Sequence, residues 1–230
     1  MALMAVAEAL QRVLADARPL PAETVALDEA LGRVLTDDVV ALRTQPPAAL
    51  SAMDGYAVRG SDVALAPITL KVIGEVAAGH PFAGKVGPGE AARIFTGGVM
   101  PAGSDTVVIQ EFTTRDADSV TIQKETAAGR NVRAAGIDFA RDENLLRKGR
   151  RLTDRDLMLA AAMNHPRLKV HKRPKVAVLG TGDELVPPGS TPHEGEIVFS
   201  NGFALAALAR LNGAEVHELG IVRDLSLIHI

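Results

Sequence analysis

Acids, hydroxyls and glycines able to do chemistry gather at four places along the chain. In VLGTGDELVPPG, an apolar run leads straight into Gly180, Thr181, Gly182, Asp183 and Glu184. Ligands of α/β sheets bind at the carboxyl ends of strands, so these two acids are well placed to meet one. A turn bearing a solvated acid pair accounts for the same residues without a ligand. In RIFTGGVMPAGSD, Thr96 precedes Gly97 and Gly98. The backbone amides of such a turn can cradle an anion and the hydroxyl can add a donor, while a plain β-turn is the alternative. In SAMDGYAVRG, Asp54 stands before a glycine and beside the chain's only tyrosine. An Asp-Gly step is a tight-turn device, because the carboxylate bonds nearby amides and the glycine accepts positive φ. A site acid is the other reading. Asp224, in GIVRD, lies just past an apolar run. If its strand lies parallel beside that of Glu184, both carboxylates reach one sheet edge, where they suit a hard cation such as magnesium. The alternative is that Asp224 caps a following helix.

Other chemistries fit poorly. A dinucleotide fingerprint needs a third glycine where GTGDEL has Leu185, and a helix where Pro187 and Pro188 follow. The TGG turn lacks the Gly-Lys-Ser/Thr ending of a phosphate loop. With no cysteine, disulfides, thiolate zinc sites and a cysteine nucleophile are excluded, and the six histidines show no metal-binding spacing. A net charge of -3 and 3% aromatic residues argue against a nucleic-acid partner. The basic runs RKGRR and RLKVHKRPK read as solvated surface, because acids nearby are as numerous and no aromatic interleaves them. Apolar stretches break well before the ~18 residues of a membrane span. The start MALMAVAEALQRVLADA lacks the basic region and cleavage site of a secretory signal, so a cytoplasmic location is expected.

These residues need elements to hold them. Residues 3–17 carry Leu3, Val6, Leu10, Val13 and Leu14 at helical spacing, an amphipathic first helix. TVAL predicts a short strand, and Asp28 a cap for a helix over DEALGRVL, before Pro46 and Pro47 close this opening unit. From about 45 to 127, short β-favouring runs (YAV, ITLKVIGEV, ARIF, TVVIQEF, SVTIQ) alternate with turn clusters, the pattern of a compact β barrel or sandwich. Thr153 with Asp156 predicts the capped start of a helix over RDLMLAAAMN, stopped by Pro166. The β region is therefore read as an insertion into a helical unit. KVAVLG, SNGFALAALARLNGAE and EVHELGIV then read as strand, capped helix ending at Gly213, and strand, a single βαβ unit. Two strands and one helix leave an apolar sheet face bare, as if an α/β domain stopped halfway.

SAMDGYAVRGSDV, RIFTGGVMPAGSDTVVIQE, NVRAAGIDF and VAVLGTGDEL, in this order and spacing, resemble the molybdopterin molybdenumtransferase family, the MoeA proteins and the gephyrin E region. The resemblance runs from near the start to about Asp224 and implies a multi-domain α/β and β protein. Residues 1–44 and 136–173 would form a helical and extended unit, 45–135 an inserted β barrel-like domain, and 174–230 an incomplete α/β domain with a parallel, MogA/MoaB-like sheet. The implied activity is insertion of molybdate into adenylylated molybdopterin with release of AMP and dependence on Mg²⁺. The resemblance implies Asp54, Thr96 and Glu184 as catalytic residues, Gly97, Gly98, Thr181, Gly182 and Asp183 as substrate-binding ones, and Asp224 as a metal ligand. It also implies a homodimer whose site lies between one subunit's α/β domain and the other's β domain, and it allows a contact with the molybdopterin adenylyltransferase. That related enzyme is itself a weaker reading, because it lacks the helical and β units. A non-catalytic dimerising or scaffold module of the same fold is the alternative. The ending Leu225 to Ile230 departs from the family, with Leu225 where relatives carry a second acid. A C-terminally truncated, inactive fragment is therefore expected.

Overall fold

The computed structural model describes residues 4–224. The chain is mostly β, with α-helices α1 (Val6–Leu14), α2 (Asp154–Ala162) and α3 (Asn201–Leu211) among the described residues. It divides into two compact units. One is Val40–Leu145 with Ala162–Asn164; the other is made of the segments up to Val39, Leu146–Ala161 and from His165 onward.

The first unit is built on a curled six-stranded sheet, in the order Thr106–Ile109, Gly55–Val58, Glu90–Ile94, Ile68–Val76, Ser119–Ile122, Thr113–Asp116. Neighbours are antiparallel except Ile68–Val76 beside Glu90–Ile94, which are parallel. Strand alternation feeds two cores. Tyr56 and Val58 join Leu70, Val108, Val120 and Ile122, while Ala57 joins Val76, Ala92, Ile94 and Val107. Gly55–Val58 is consequently buried along its whole length.

The β-favouring runs became these strands with two differences. In TVVIQEF the strand stops at Ile109, and Gln110–Phe112 is a 3-10 turn. Thr113–Asp116 was not expected as a strand: TTRD has neither alternation nor apolar content, and it forms as an edge strand by pairing with Ser119–Ile122. Gly55 corrects the reading of Asp-Gly as a positive-φ turn. It opens a buried strand, and a Cβ there would lie 2.0 Å from the carbonyl oxygen of Val108, so only glycine fits.

In the second unit Ala22–Ala26 pairs antiparallel with Arg167–His171. The helix expected over DEALGRVL does not form. A single 3-10 turn, Leu27–Glu29, is followed by Gly32 at φ 72°, after which Val34 and Leu35 bridge to Arg151 and Val170. Leu35 is buried at that bridge, and its long-range pairing outweighs a helix propensity worth only tenths of a kcal/mol per residue. α1 is shorter than the 3–17 expected; Val6, Leu10, Val13 and Leu14 of its apolar stripe are exposed, and Leu3 lies outside the described residues. At the start of α2 the predicted cap is present: Thr153 donates to Asp156 Oδ2 from both N–H and Oγ1 at 2.9 Å.

Lys175–Thr181 and Glu215–Val222 lie parallel, joined through α3, in register from Lys175↔Glu215 to Thr181↔Val222 with one irregularity after Val178. The expected βαβ unit is thus formed. Ser200, however, makes no side-chain cap on α3, because its own backbone is already in the helical region (φ -118°, ψ -36°). Gly213 ends the helix at φ 88°, as expected. Leu179 and Leu219, on the two strands, remain exposed, in line with the bare apolar sheet face expected; Leu205, Leu208 and Leu211 of α3 are exposed as well.

Candidate functional site

Gly55 and Ile94 face each other at the ends of their antiparallel strands. The residues just outside them therefore leave the sheet side by side. Asp54 and Thr96, 42 residues apart, meet there: Asp54 Oδ1 accepts the Thr96 N–H at 2.8 Å and the Thr96 hydroxyl at 2.7 Å. The amide bond, then the hydroxyl bond, hold Asp54 below the ordinary carboxylate range; partial burial opposes them and the charge of Arg93 adds to the lowering. Asp54 is an anion at neutral pH, and among the described residues its Oδ2 accepts no hydrogen bond from the protein.

Buried Ser51 ties the two motifs together. Its N–H donates to Gly98 O and its O accepts from Gly97 N–H, both at 2.9 Å. Gly98 N–H closes the turn on Phe95 O at 2.9 Å. The N–H groups of Thr96, Gly97 and Gly98 are therefore all engaged within the protein, and the amide cradle expected at Gly97 and Gly98 is not formed. These glycines serve backbone shape. Gly97 has φ 81°, and a Cβ on Gly98 would lie 2.9 Å from Phe95 O.

The second cluster lies in the other unit. Gly182 N–H donates to Val222 O at 3.2 Å, so the chain turns as it leaves the sheet. Gly182 takes φ 150°, and a Cβ there would come within 2.5 Å of Glu184 Oε2, so the Glu184 carboxylate lies back over this glycine. Glu184 also helps line a cavity of about 330 Å³ with Gly180, Thr181, Phe199, Ser200 and Asn201. The Phe199 ring sits where side chains at Gly180 and Gly202 would begin, 2.6 and 2.1 Å from their ideal Cβ positions. Asp183 is exposed. Asp224 follows two residues after Val222, the partner of Thr181, so the topology brings it to the same sheet edge as Gly182.

The family model of the MoeA N-terminal region (domain I and II) matches residues 4–164, most of the chain. The chain belongs to the MoeA family. The matched segment contains the Asp54–Thr96 pair and ends before Glu184. Among curated relatives of this MoeA chain, the molybdopterin molybdenumtransferase of Nostoc sp. is 43% identical over 206 residues, which is 88% of this chain and 47% of the relative. That of Haemophilus influenzae is 36% identical over 209 residues, 90% of this chain and 52% of the relative. The crystal structure of the molybdopterin biosynthesis MoeA protein from Pyrococcus horikoshii OT3 matches with a TM-score of 0.89 at 35% identity, covering 96% of this chain and 60% of that one. The MoeA chain described here spans about half the length of the curated relatives it matches.

Reading the sequence singled out Asp54 and Thr96 but missed the residues that frame them, Ser51 and Gln110 through their main chain and Arg93 through its side chain. Arg93 stands three residues before Thr96, and only strand register shows that it faces Tyr56.

Proposed function

We propose that this chain handles substrate in a molybdopterin molybdenumtransferase of molybdenum cofactor biosynthesis, which inserts molybdate into adenylylated molybdopterin with release of AMP in the presence of Mg²⁺. The observation that carries this reading is the Asp54–Thr96 pair, held by two hydrogen bonds inside the segment that matches MoeA. An aspartate kept ionised cannot deliver a proton at neutral pH. It accepts hydrogen bonds, and with Oδ1 fixed by Thr96 its Oδ2 orients a donor of the bound substrate. Thr96 sets the angle of that carboxylate. Glu184, as a catalytic acid, with Thr181, Gly182 and Asp183 would make further substrate contacts at the sheet edge where they lie. Gly97 and Gly98 would act by letting the chain approach closely.

Glu184 and Asp224 carry hard oxygen donors that the topology brings to one sheet edge. Such donors suit Mg²⁺, which is commonly held by one or two carboxylates together with substrate phosphates. Bound there, the ion would supply charge neutralisation to the phosphates. Residues 1–44 with 136–173, 45–135 and 174–230 are the proposed helical/extended, β barrel-like and MogA/MoaB-like domains. We infer a cytoplasmic homodimer sharing its sites, supported by the exposed apolar stripe of α1, with a contact to the molybdopterin adenylyltransferase.

The test uses the chain completed to the length of its relatives, with adenylylated molybdopterin, molybdate and Mg²⁺. Asp54→Ala and Glu184→Ala are expected to keep the melting temperature and lose AMP release. Unchanged AMP release in both variants removes Asp54 and Glu184 as the site residues, whereas no AMP release by the unsubstituted completed chain favours a non-catalytic scaffold of the same fold.

A further inference from the structure

The carbonyls of Asp54 and of the next residue, Gly55, are both taken by two connected residues, Gln110 and Arg93. Gln110 N–H donates to Asp54 O at 3.0 Å. Arg93 Nη1 donates to Gly55 O at 3.1 Å, and its Nη2 donates to Gln110 Oε1 at 2.7 Å, so the two anchors are tied to each other. Register explains the arrangement. Tyr56 and Arg93 are direct cross-strand partners, and Phe95, two residues beyond Arg93, returns to the same side of the chain. The guanidinium carbon lies 5.3 Å from the Tyr56 ring centroid and 4.8 Å from that of Phe95. A guanidinium stacks on aromatic faces while its in-plane N–H groups still reach carbonyls, which a lysine ammonium cannot reproduce. Among the described residues the polar partners of the Arg93 side chain are Gly55 O and Gln110 Oε1.

We propose that Arg93 is a positioning residue for the Asp54 site: by holding Gly55 O and Gln110 while stacked on Tyr56 and Phe95, it fixes the main chain from which Asp54 meets Thr96 and its substrate. This rests on Asp54 being the site acid proposed above. The Thr96 bonds do most to keep Asp54 ionised and Arg93's charge adds to them, so loosening the frame acts on Asp54 twice.

The test needs no activity and uses this chain as it stands. The Asp54 carboxyl is titrated by NMR and the Thr96 amide is followed by hydrogen exchange, in the unsubstituted chain and in Arg93→Met, Arg93→Lys and Gln110→Ala. Arg93→Met is expected to move the Asp54 titration upward and to speed Thr96 amide exchange several-fold. Arg93→Lys keeps the charge but not the fork, so exchange quickens while the titration moves less. Gln110→Ala keeps both the charge and the main-chain N–H, and it too quickens exchange. If Arg93→Met does not fold, the other two variants decide. An unchanged Asp54 titration and unchanged Thr96 exchange in every folded variant, with only a lower melting temperature, overturns the proposal and leaves Arg93 as packing. Activity retained by Asp54→Ala in the completed protein would instead remove Asp54 as the site acid, whatever the Arg93 variants show.

Discussion

Thr96 binds one oxygen of Asp54 twice, from its amide at 2.8 Å and from its hydroxyl at 2.7 Å, although 42 residues separate them. Both bonds favour the ionised acid. Asp54 therefore titrates below its ordinary value of 3.8, and the stability it lends is complete above that value and fades as pH falls through the lower, folded one. Thr96→Val removes the hydroxyl and keeps the amide. The expected outcome is an upward-shifted Asp54 titration and a smaller loss of melting temperature between pH 7 and pH 3 than in the unsubstituted chain. Thermal melts across that range check it, and equal losses in both proteins contradict it.

Gly55 is required by packing, because the missing Cβ would collide with Val108 O at 2.0 Å, a backbone atom that cannot rotate away. Gly55→Ala should cost about 2–4 kcal/mol, in the range of overpacked cores or above. Urea unfolding measures this. A cost under about 0.5 kcal/mol would mean the strands separate without penalty.

Asp156 caps α2 while almost fully buried. Burial pushes its pKa up, but the Arg150 hydrogen bond and the two donors of Thr153 outweigh it, so the acid stays ionised. Thr153→Ala should lose about 1 kcal/mol of stability, the usual worth of an N-terminal cap. Since Asp156 is depressed, its contribution is present above pH 3.8 and lost as pH falls through its folded value. Denaturation at pH 7 and below pH 3 checks both: the Thr153→Ala difference should shrink in acid.

Gly55–Val58 is buried on both faces, whereas Leu179 in the strand Lys175–Thr181 and Leu219 in its neighbour are exposed. Strands with one open face unfold locally at lower cost. Amides of 175–181 should therefore exchange markedly faster than those of 55–58 in the same sample. Equal protection would show that the parallel pair is as stable as the six-stranded sheet.

What the sequence determined by itself was local. The capping arrangement of Thr153 and Asp156, the βαβ order after Lys175 and most strands of the β region were legible because each depends on residues within a few positions of one another. The motifs around Asp54, Thr96 and Glu184 were legible for the same reason, as acids and hydroxyls set beside glycines. Pairing over long distances was decided only in the tertiary structure. Leu35 enters a bridge to Val170 instead of the helix its neighbours favour, because burial there outweighs a weak local propensity. Gly55 is a contact point for Val108 rather than a turn, which no local pattern reveals. The Asp54–Thr96 bonds, and the Arg93 and Gln110 frame around them, exist because Gly55 pairs with Ile94 and Tyr56 with Arg93. A one-residue slip would send Arg93 to the opposite face and leave Asp54 without that support.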